Sequence, residues 1–510
     1  MSFDRVFDVV IIGGGINGVG CAADAALRGL SVLLCEQHDL ASKTSSSSSK
    51  LIHGGLRYLE RFDLKLVKKS LDERETLSRL APHLIHPLPI FIPHQSSKRP
   101  AWFVRIGLFI YDHLSRINTL PHSRLFRRRQ KTPYFTPLDT AIKKGFLFYD
   151  CKTDDARLTL VNALQAKAHG AVIMTQTTLI KAEAVDHRWH LTLQTSSGKV
   201  IQVTAKSVIN AAGPWVSNVN QLLCLEDMHT LSLVKGSHLV VHKLYEGEHA
   251  YLLQHDDQRV VFVVPYHGHT MIGTTEVPFE GTLNVIRIEA SEIDYLLAII
   301  HRYFNQRLLP SDIITTWSGV RPLISAFGKK NTALSREYAC HFSNELAPVI
   351  SIYGGKITTY RQLALEAIDH LSNVFEGLPA SKTATTALPG AAFGEFTFAE
   401  YQQYAFEKYH WLDDATRDRY LSVYGTLTED ILAGCKNTRD LGIYFTNTLY
   451  QVEVDYLLHH EWVSCVEDIL WRRTKLGLNM EAKLEKILSD YLNEVSAHSC
   501  FDKPSQRHLQ

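Results

Sequence analysis

The chain opens on a short, nearly continuous apolar run at residues 6–12 (VFDVVII). It is rich in Val and Ile and predicts a parallel strand buried on both faces. Glycines follow at once. Residues 19–27 (VGCAADAAL) are small and helix-forming, Gly29 ends them, and residues 30–35 (LSVLLC) predict a second strand. Strand, turn, helix and strand in succession make a βαβ unit. Residues 64–80 predict a charged helix, after which Pro82, Pro87, Pro89 and Pro93 break the chain into short extended pieces. Residues 101–114 (AWFVRIGLFIYDHL) are strongly apolar and aromatic, interrupted by Arg105, with a basic cluster behind them at Arg124 and Arg127, Arg128 and Arg129. Strand-like runs recur at 172–174, 191–193 and 208–209, and a second sheet is expected from 234–241 and 260–264. At residue 349 the order strand (VISIY), glycines (Gly354, Gly355), helix (358–371) returns. Beyond Pro389 the pattern turns helical. Leu484, Ile487, Leu488, Tyr491, Leu492 and Val495 keep one apolar face there. A domain boundary is expected near residue 385, and no internal repeat is visible.

Composition narrows the class. The 510 residues suggest roughly three domains at about 150 residues each. Hydrophobic residues at 45% and charged residues at 21% exclude a disordered, collagen-like or coiled-coil chain. A net charge of +1 argues against wholesale nucleic-acid binding, though not against a local basic patch. No stretch approaches the roughly 18 apolar residues of a spanning helix, and the N-terminus does not read as a secretory signal. The 8 cysteines are scattered without a C-x-x-C pair, so free thiols are expected rather than disulfides or a metal site. Residues 41–50 are Ser-rich. Composition alone favours a flexible linker, but their place between the βαβ unit and LIHGGLRYLE argues otherwise.

Gly13, Gly14, Gly15, Asn17 and Gly18 fit G-x-G-x-x-G directly between a strand and a helix. Gly13 permits the tight turn, Gly15 lets backbone approach a pyrophosphate, and Gly18 lets helix and strand pack closely. The pyrophosphate would face the amides and positive dipole end of the helix. Glu36 closes the second strand, placed to accept from a ribose hydroxyl and to repel a 2′-phosphate. The motif alone does not separate FAD from NAD.

Longer motifs carry a resemblance. They are GGGINGVG at Gly13, TSSSSSKLIHGGLRYLE at Thr44, IGLFIYDHL at Ile106, DDARL at Asp154, NAAGPW at Asn210 and KGSHLVV at Lys235. They continue with IGTTEV at Ile272, SGVRPL at Ser318, YGGKITTYR at Tyr353, HEWV at His460 and LWRRTKLG at Leu470. With these the chain resembles the aerobic, FAD-dependent sn-glycerol-3-phosphate dehydrogenases over about residues 6 to 480. The resemblance implies an α/β fold like that of D-amino-acid oxidase. A Rossmann-type FAD domain (1–85, 145–215, 335–384) would interleave with a mixed-sheet substrate domain (86–144, 216–334). An all-helical domain (385–510) would follow. It further implies noncovalent FAD and oxidation of sn-glycerol 3-phosphate to dihydroxyacetone phosphate, with hydride passing to the flavin and electrons to a membrane quinone. Peripheral, monotopic attachment to the anionic cytoplasmic face of the inner membrane is expected, and a homodimer is left open. Residues 102–110 with Arg105 and the arginine cluster suit such an interface, as equally does a buried helix beside a solvated basic loop.

Alcohol oxidation by this route needs a base, a seat for the phosphate dianion and a positioned flavin. Arg321 in SGVRP and Arg336 in ALSREY align with the family's phosphate positions, where guanidinium groups serve best. Arg57, beside Tyr58, would stabilise developing negative charge; its alternative is a helix-face pair with Glu60 or Asp63. His238 in KGSH has the ordinary pKa of a base and ranks narrowly above Lys356 in GGKITT, which a helix N-terminus would make less basic. Thr274 and Thr275 would hydrogen-bond substrate or simply pack. Thr44, Ser45, Ser46, Ser49, Lys50, Leu51 and His53 are expected along the FAD, with Ala211, Gly213, Gly354, Gly355, Lys356 and Thr358. No metal is expected. Competing readings are an amine or amino-acid oxidase of the same fold, an inactive flavin-binding protein and, more weakly, an NAD-dependent dehydrogenase.

Overall fold

The computed structural model describes residues 2–95, 100–255, 257, 259–325 and 337–499. The chain divides into two compact units, Met1–Pro389 and Gly390–Gln510.

The first unit rests on two sheets. In the first, Ser2–Ile12 lies between Val32–Cys35 and Val200–Asn210, parallel to both, and Val349–Tyr353 extends the parallel run. Val9, Val10 and Ile11 are completely buried, as a strand covered on both faces requires. Helix Ile16–Leu27 packs against helices Asp155–Ala168 and Tyr360–His370 through its small residues. A Cβ on Gly20 would meet the Tyr360 ring at 2.9 Å, so glycine sets how closely these helices approach.

The second sheet has ten strands, in the order Val277–Pro278, Leu231–Val241, His269–Gly273, Val260–Tyr266, Ala250–Gln254, Ile85–His94, Lys144–Thr153 and Leu51–Ile52. Ile313–Ile324 joins it through Leu231–Val241 and Arg124–Arg127 through Lys144–Thr153. It is mixed, since Ala250–Gln254 runs parallel to Ile85–His94. Helix Ala290–Tyr303 closes one face with Leu296, Leu297, Ile299, Ile300 and Tyr303. Two expectations change here. Residues 51–52 and Lys144–Thr153 pair in the second sheet, so the expected boundary at 145 falls inside a strand. The prolines also leave Ile85–His94 whole. Pro87, Pro89 and Pro93 occupy alternate positions, so their missing donors fall on one edge and the ladder to Lys144–Thr153 survives.

Among the described residues the second unit is helical apart from one hairpin, Tyr444–Thr446 with Leu449–Tyr450. Tyr401, Tyr420, Tyr424, Leu457, Leu488 and Leu492 form its core, and Arg419 pairs with buried Glu453 inside it. In helix Ala482–Ser499, Leu488 and Leu492 are buried while Ile487 is exposed.

Candidate cofactor and substrate site

A cavity of about 410 Å³ in the first unit begins where Ser2–Ile12 ends. Gly13 has φ +112°, and a Cβ there would meet the Ala211 carbonyl oxygen at 2.6 Å. A Cβ on Gly18 would land on the Gly13 carbonyl oxygen. Gly15 caps helix Ile16–Leu27 without a side-chain cap, and no acidic residue stands in its first turn. The helix therefore turns its positive end toward the cavity, an anion seat. Glu36 is fixed at the rim: Oε2 accepts the Gly14 N–H at 2.7 Å and Oε1 the His38 N–H at 2.9 Å. Burial raises its pKa against those two hydrogen bonds. Asn17 Nδ2 donates to the Gly354 carbonyl at 3.1 Å, while its buried Oδ1 has no partner among the described residues and awaits a donor.

The Ser-rich segment is fastened rather than loose. Thr44 Oγ1 donates to the Val320 carbonyl at 2.7 Å, Ser45 Oγ accepts the Ile16 N–H at 2.9 Å, and Ser48 Oγ donates to Asp155 at 2.7 Å. A Cβ on Gly319 would press on Ser47 Cβ at 2.7 Å, so a glycine in SGVRP lets the loop cross. Lys50, expected along the cofactor, turns away. Its buried ammonium pairs with Asp155 at 2.7 Å and lies 5.1 Å from the Trp317 ring. Ser46 also stays off the cavity wall, lending its carbonyl to Lys50.

The other end is made of side chains. Leu231–Val241 carries His238, opposite Gly273 in one neighbour and Trp317 in the other. The His238 ring is buried over Gly273 and stacks on Trp317 at 5.4 Å. Its Nε2 shares a 2.9 Å hydrogen bond with Ser49 Oγ, and Nδ1 has no partner among the described residues. Burial, then the charges of Lys50 and Arg321, push its pKa well below 6.5, so the ring is neutral. Arg321 lies over Gly236 and donates to Thr274 Oγ1 at 3.0 Å. Burial lowers its pKa, yet a guanidinium keeps its charge at physiological pH. Lys356 Nζ sits 4.1 Å from the Tyr58 ring centre. Arg57 faces Glu276 at 3.6 Å, and Glu276 also faces Arg321 at 3.7 Å.

Of the expected residues, Gly13, Gly15, Asn17, Glu36, Thr44, Ser45, Ser49, Leu51, His53, Tyr58, Ala211, Gly213, His238, Arg321, Gly354, Gly355, Lys356 and Thr358 share this one wall. Gly14, Gly18, Arg57 and Thr274 stand behind it. Thr275 points inward: its hydroxyl donates to Glu292 at 2.6 Å and accepts the Ser237 N–H at 2.9 Å, which leaves it no proton for a substrate. Arg336 lies outside the described residues. Sequence reading passed over Thr177, Thr178, Leu179, Trp215, Asn218 and Leu222, which line the far end. Their one signal is that Trp215 closes NAAGPW; the rest are ordinary strand and helix positions. Among the described residues no cluster of three or more metal-ligating side chains occurs.

A dinucleotide cradle opening onto a neutral histidine and two cations defines an oxidoreductase with a bound redox cofactor. Comparison with known proteins makes this specific. Residues 8–420 match the FAD dependent oxidoreductases, and residues 381–503 match the C-terminal domain of alpha-glycerophosphate oxidase. The chain is 45% identical over 498 residues to a glycerol-3-phosphate dehydrogenase of Pseudomonas aeruginosa, covering 97% of this chain and 96% of that one. It is 41% identical over 494 residues to the aerobic glycerol-3-phosphate dehydrogenase of Escherichia coli, covering 96% and 98%. The glycerol-3-phosphate dehydrogenase of Bacillus halodurans, solved with FAD, superposes with a TM-score of 0.75 at 25% identity, covering 99% and 97%. The chain belongs to the FAD-dependent glycerol-3-phosphate dehydrogenase family. Its cofactor is FAD, and the glycine cradle and the Asn17 acceptor fit a dinucleotide.

Proposed function

We propose that the protein oxidises sn-glycerol 3-phosphate at C2 to dihydroxyacetone phosphate and that a membrane quinone is the onward electron acceptor. The observation that carries the reading is that His238, Arg321 and Lys356 share one cavity wall with the Gly13 cradle. When bound, FAD supplies the two-electron acceptor for the C2 hydrogen. Arg321 holds the phosphate, with Arg336 as its expected second contact. His238, neutral and screened from water, receives the hydroxyl proton. Lys356 Nζ lies over the face of the Tyr58 ring, a position that suits a cation, and there it meets the negative charge that develops during the reaction. This favours His238 over Lys356 as base. The test is the visible spectrum of the purified holoenzyme. Anaerobic sn-glycerol 3-phosphate bleaches the flavin band and yields dihydroxyacetone phosphate; bleaching by glycine instead would replace this reading with an amino-acid oxidase.

Peripheral attachment to a membrane is part of the same proposal. Helix Ala101–His113 buries Leu108 and Tyr111 but exposes Trp102, Phe103, Ile106, Phe109 and Ile110, so it is not a buried substrate-domain helix. Exposed Arg124, Arg127 and Arg129 follow it. No helix among the described residues is long and apolar enough to cross a bilayer. Apolar rings beside arginines suit an anionic lipid surface such as a cytoplasmic leaflet, better than a second copy of an equally basic face. Co-sedimentation with vesicles containing anionic lipid tests it. Trp102→Asp with Phe103→Asp abolishes pelleting while turnover with a soluble acceptor persists. If those changes instead split a dimer in sedimentation velocity, the face is a subunit interface.

A further inference from the structure

His238 and Arg321 arrive on two strands and Thr274 just past the end of a third, His269–Gly273, and all three segments are tied to one buried carboxylate. Glu292, in the first turn of helix Ala290–Tyr303, is 3% exposed. Its Oε1 accepts from Ser237 Oγ at 2.8 Å and from Thr275 Oγ1 at 2.6 Å. Its Oε2 accepts the Glu289 N–H at 2.9 Å and faces Lys235 Nζ at 2.9 Å. Ser237 Oγ also meets Ser318 Oγ at 2.8 Å. Ser237 precedes His238, Thr275 follows Thr274, and Ser318 leads into Arg321 on its strand. The carboxylate thus gathers the motifs KGSH, IGTTE and SGVRP from beneath.

Proton counting shows why a carboxylate is needed. Four donors converge on Glu292, and only an ionised carboxyl offers lone pairs to all of them. Each hydroxyl has a single proton. Ser237 gives its proton to Glu292, so Ser318 must donate to Ser237; Thr275 gives its proton to Glu292, so it accepts the Ser237 N–H. Burial works against the charge, but the hydrogen bonds from Thr275, Glu289, Lys235 and Ser237 outweigh it and hold the carboxyl below its ordinary range. With Thr275 turned inward, the neighbouring Thr274 hydroxyl is left to accept from Arg321 at 3.0 Å. Lys235 is doubly held, since Glu289 also reaches it at 2.6 Å.

We propose that Glu292 is a positioning residue for the substrate-phosphate end: it fixes the hydroxyl directions that keep Thr274 under the Arg321 guanidinium. This rests on the reading in which Arg321 holds phosphate. The test uses FAD-loaded enzyme with flavin content verified, and measures KM for sn-glycerol 3-phosphate, kcat with a soluble acceptor, and competitive inhibition by inorganic phosphate. Thr275→Val removes the hydroxyl and keeps the shape, Thr275→Ser restores it, and Glu292→Gln removes two acceptor sites. Losing one such hydrogen bond is expected to raise KM and the phosphate inhibition constant about tenfold in T275V and E292Q, with kcat changed less than about threefold. T275S is expected within about twofold of the parent. Unchanged KM and phosphate inhibition in T275V, or T275S as impaired as T275V, overturns the proposal; this pair decides even where E292Q does not fold. Arg321→Ala separates the two levels. If it leaves phosphate inhibition unchanged, the phosphate reading itself fails. If it weakens inhibition while T275V does not, only the role of Glu292 falls.

Discussion

The two ends of the cavity are made by different means. The Gly13 end is backbone: glycines remove Cβ atoms so that main-chain amides and a helix end face the ligand, and most of it lies within one short stretch of chain. The Arg321 end is side chain: a histidine, a threonine and an arginine from distant parts of the chain, each seated over or beside a glycine of a neighbouring strand. The first end recognises what every dinucleotide shares. The second must hold one small anion against one base, and it depends on side-chain hydrogen bonds to do so.

The sharpest way to break this contrast is at the backbone end. Gly18→Ala places a methyl on the Gly13 carbonyl oxygen, so the purified protein is expected to lack the visible flavin band entirely. If it retained FAD and activity, the cradle would be less rigid than described. His238→Asn should act only at the other end, lowering kcat by about 10² to 10⁴ with flavin content and KM nearly unchanged. Stopped-flow bleaching by sn-glycerol 3-phosphate measures it, and a rate equal to the parent's would transfer the base role to Lys356. Arg321→Ala should raise KM about a hundredfold, the scale of a lost charge-assisted contact of about 2–3 kcal/mol, again with FAD retained.

The smallest effect concerns stability rather than turnover. Burial, with Arg157 and His86 nearby, pushes His83 from 6.5 down to about 3; burial pushes His249 to about 4 against the pull of Glu248. Unfolding frees both rings to take up protons near 6.5, so the unfolded chain binds more protons below that pH. Their contribution is complete above about 6.5 and is lost as pH falls toward their folded values. Thermal midpoints should decline from about pH 6.5 downward, and more shallowly in His83→Gln, provided that variant keeps its packing.

Contrast between the ends also explains what could be read from the chain. The cradle was legible because its logic is contiguous: Gly13, Gly15 and Gly18 sit at fixed spacing, and each exclusion is a property of a missing atom. His238 and Arg321 were legible as motif members, but nothing in their spacing announces that Gly273 and Gly236 make room for them. Thr274 and Thr275 looked equivalent because two adjacent threonines give no sign of which one faces the core; the hydrogen bonds of the Thr275 hydroxyl to the Ser237 N–H and to Glu292 decide it. Lys50 read as a cofactor contact because its neighbours are, yet the buried carboxylate of Asp155 claims it. Glu292 gave no sign at all, standing in an ordinary amphipathic helix whose acidic first turn suggests only a cap. The prolines of Ile85–His94 misled in the opposite direction, since their alternate spacing spares the strand they appear to interrupt.

The order of strands in the first sheet has a consequence for how the molecule is made. Ser2–Ile12 is synthesised well before its neighbour Val200–Asn210, and Val349–Tyr353, which leads into Gly354 and Gly355 of the wall, comes later still. A domain folding as it emerges would ordinarily begin at its N-terminus. Here Val32–Cys35 follows at once on one edge of the strand, but the other edge must wait for Val200–Asn210. The wall that seats the flavin is therefore complete only once the segment carrying Gly354 and Gly355 has been made.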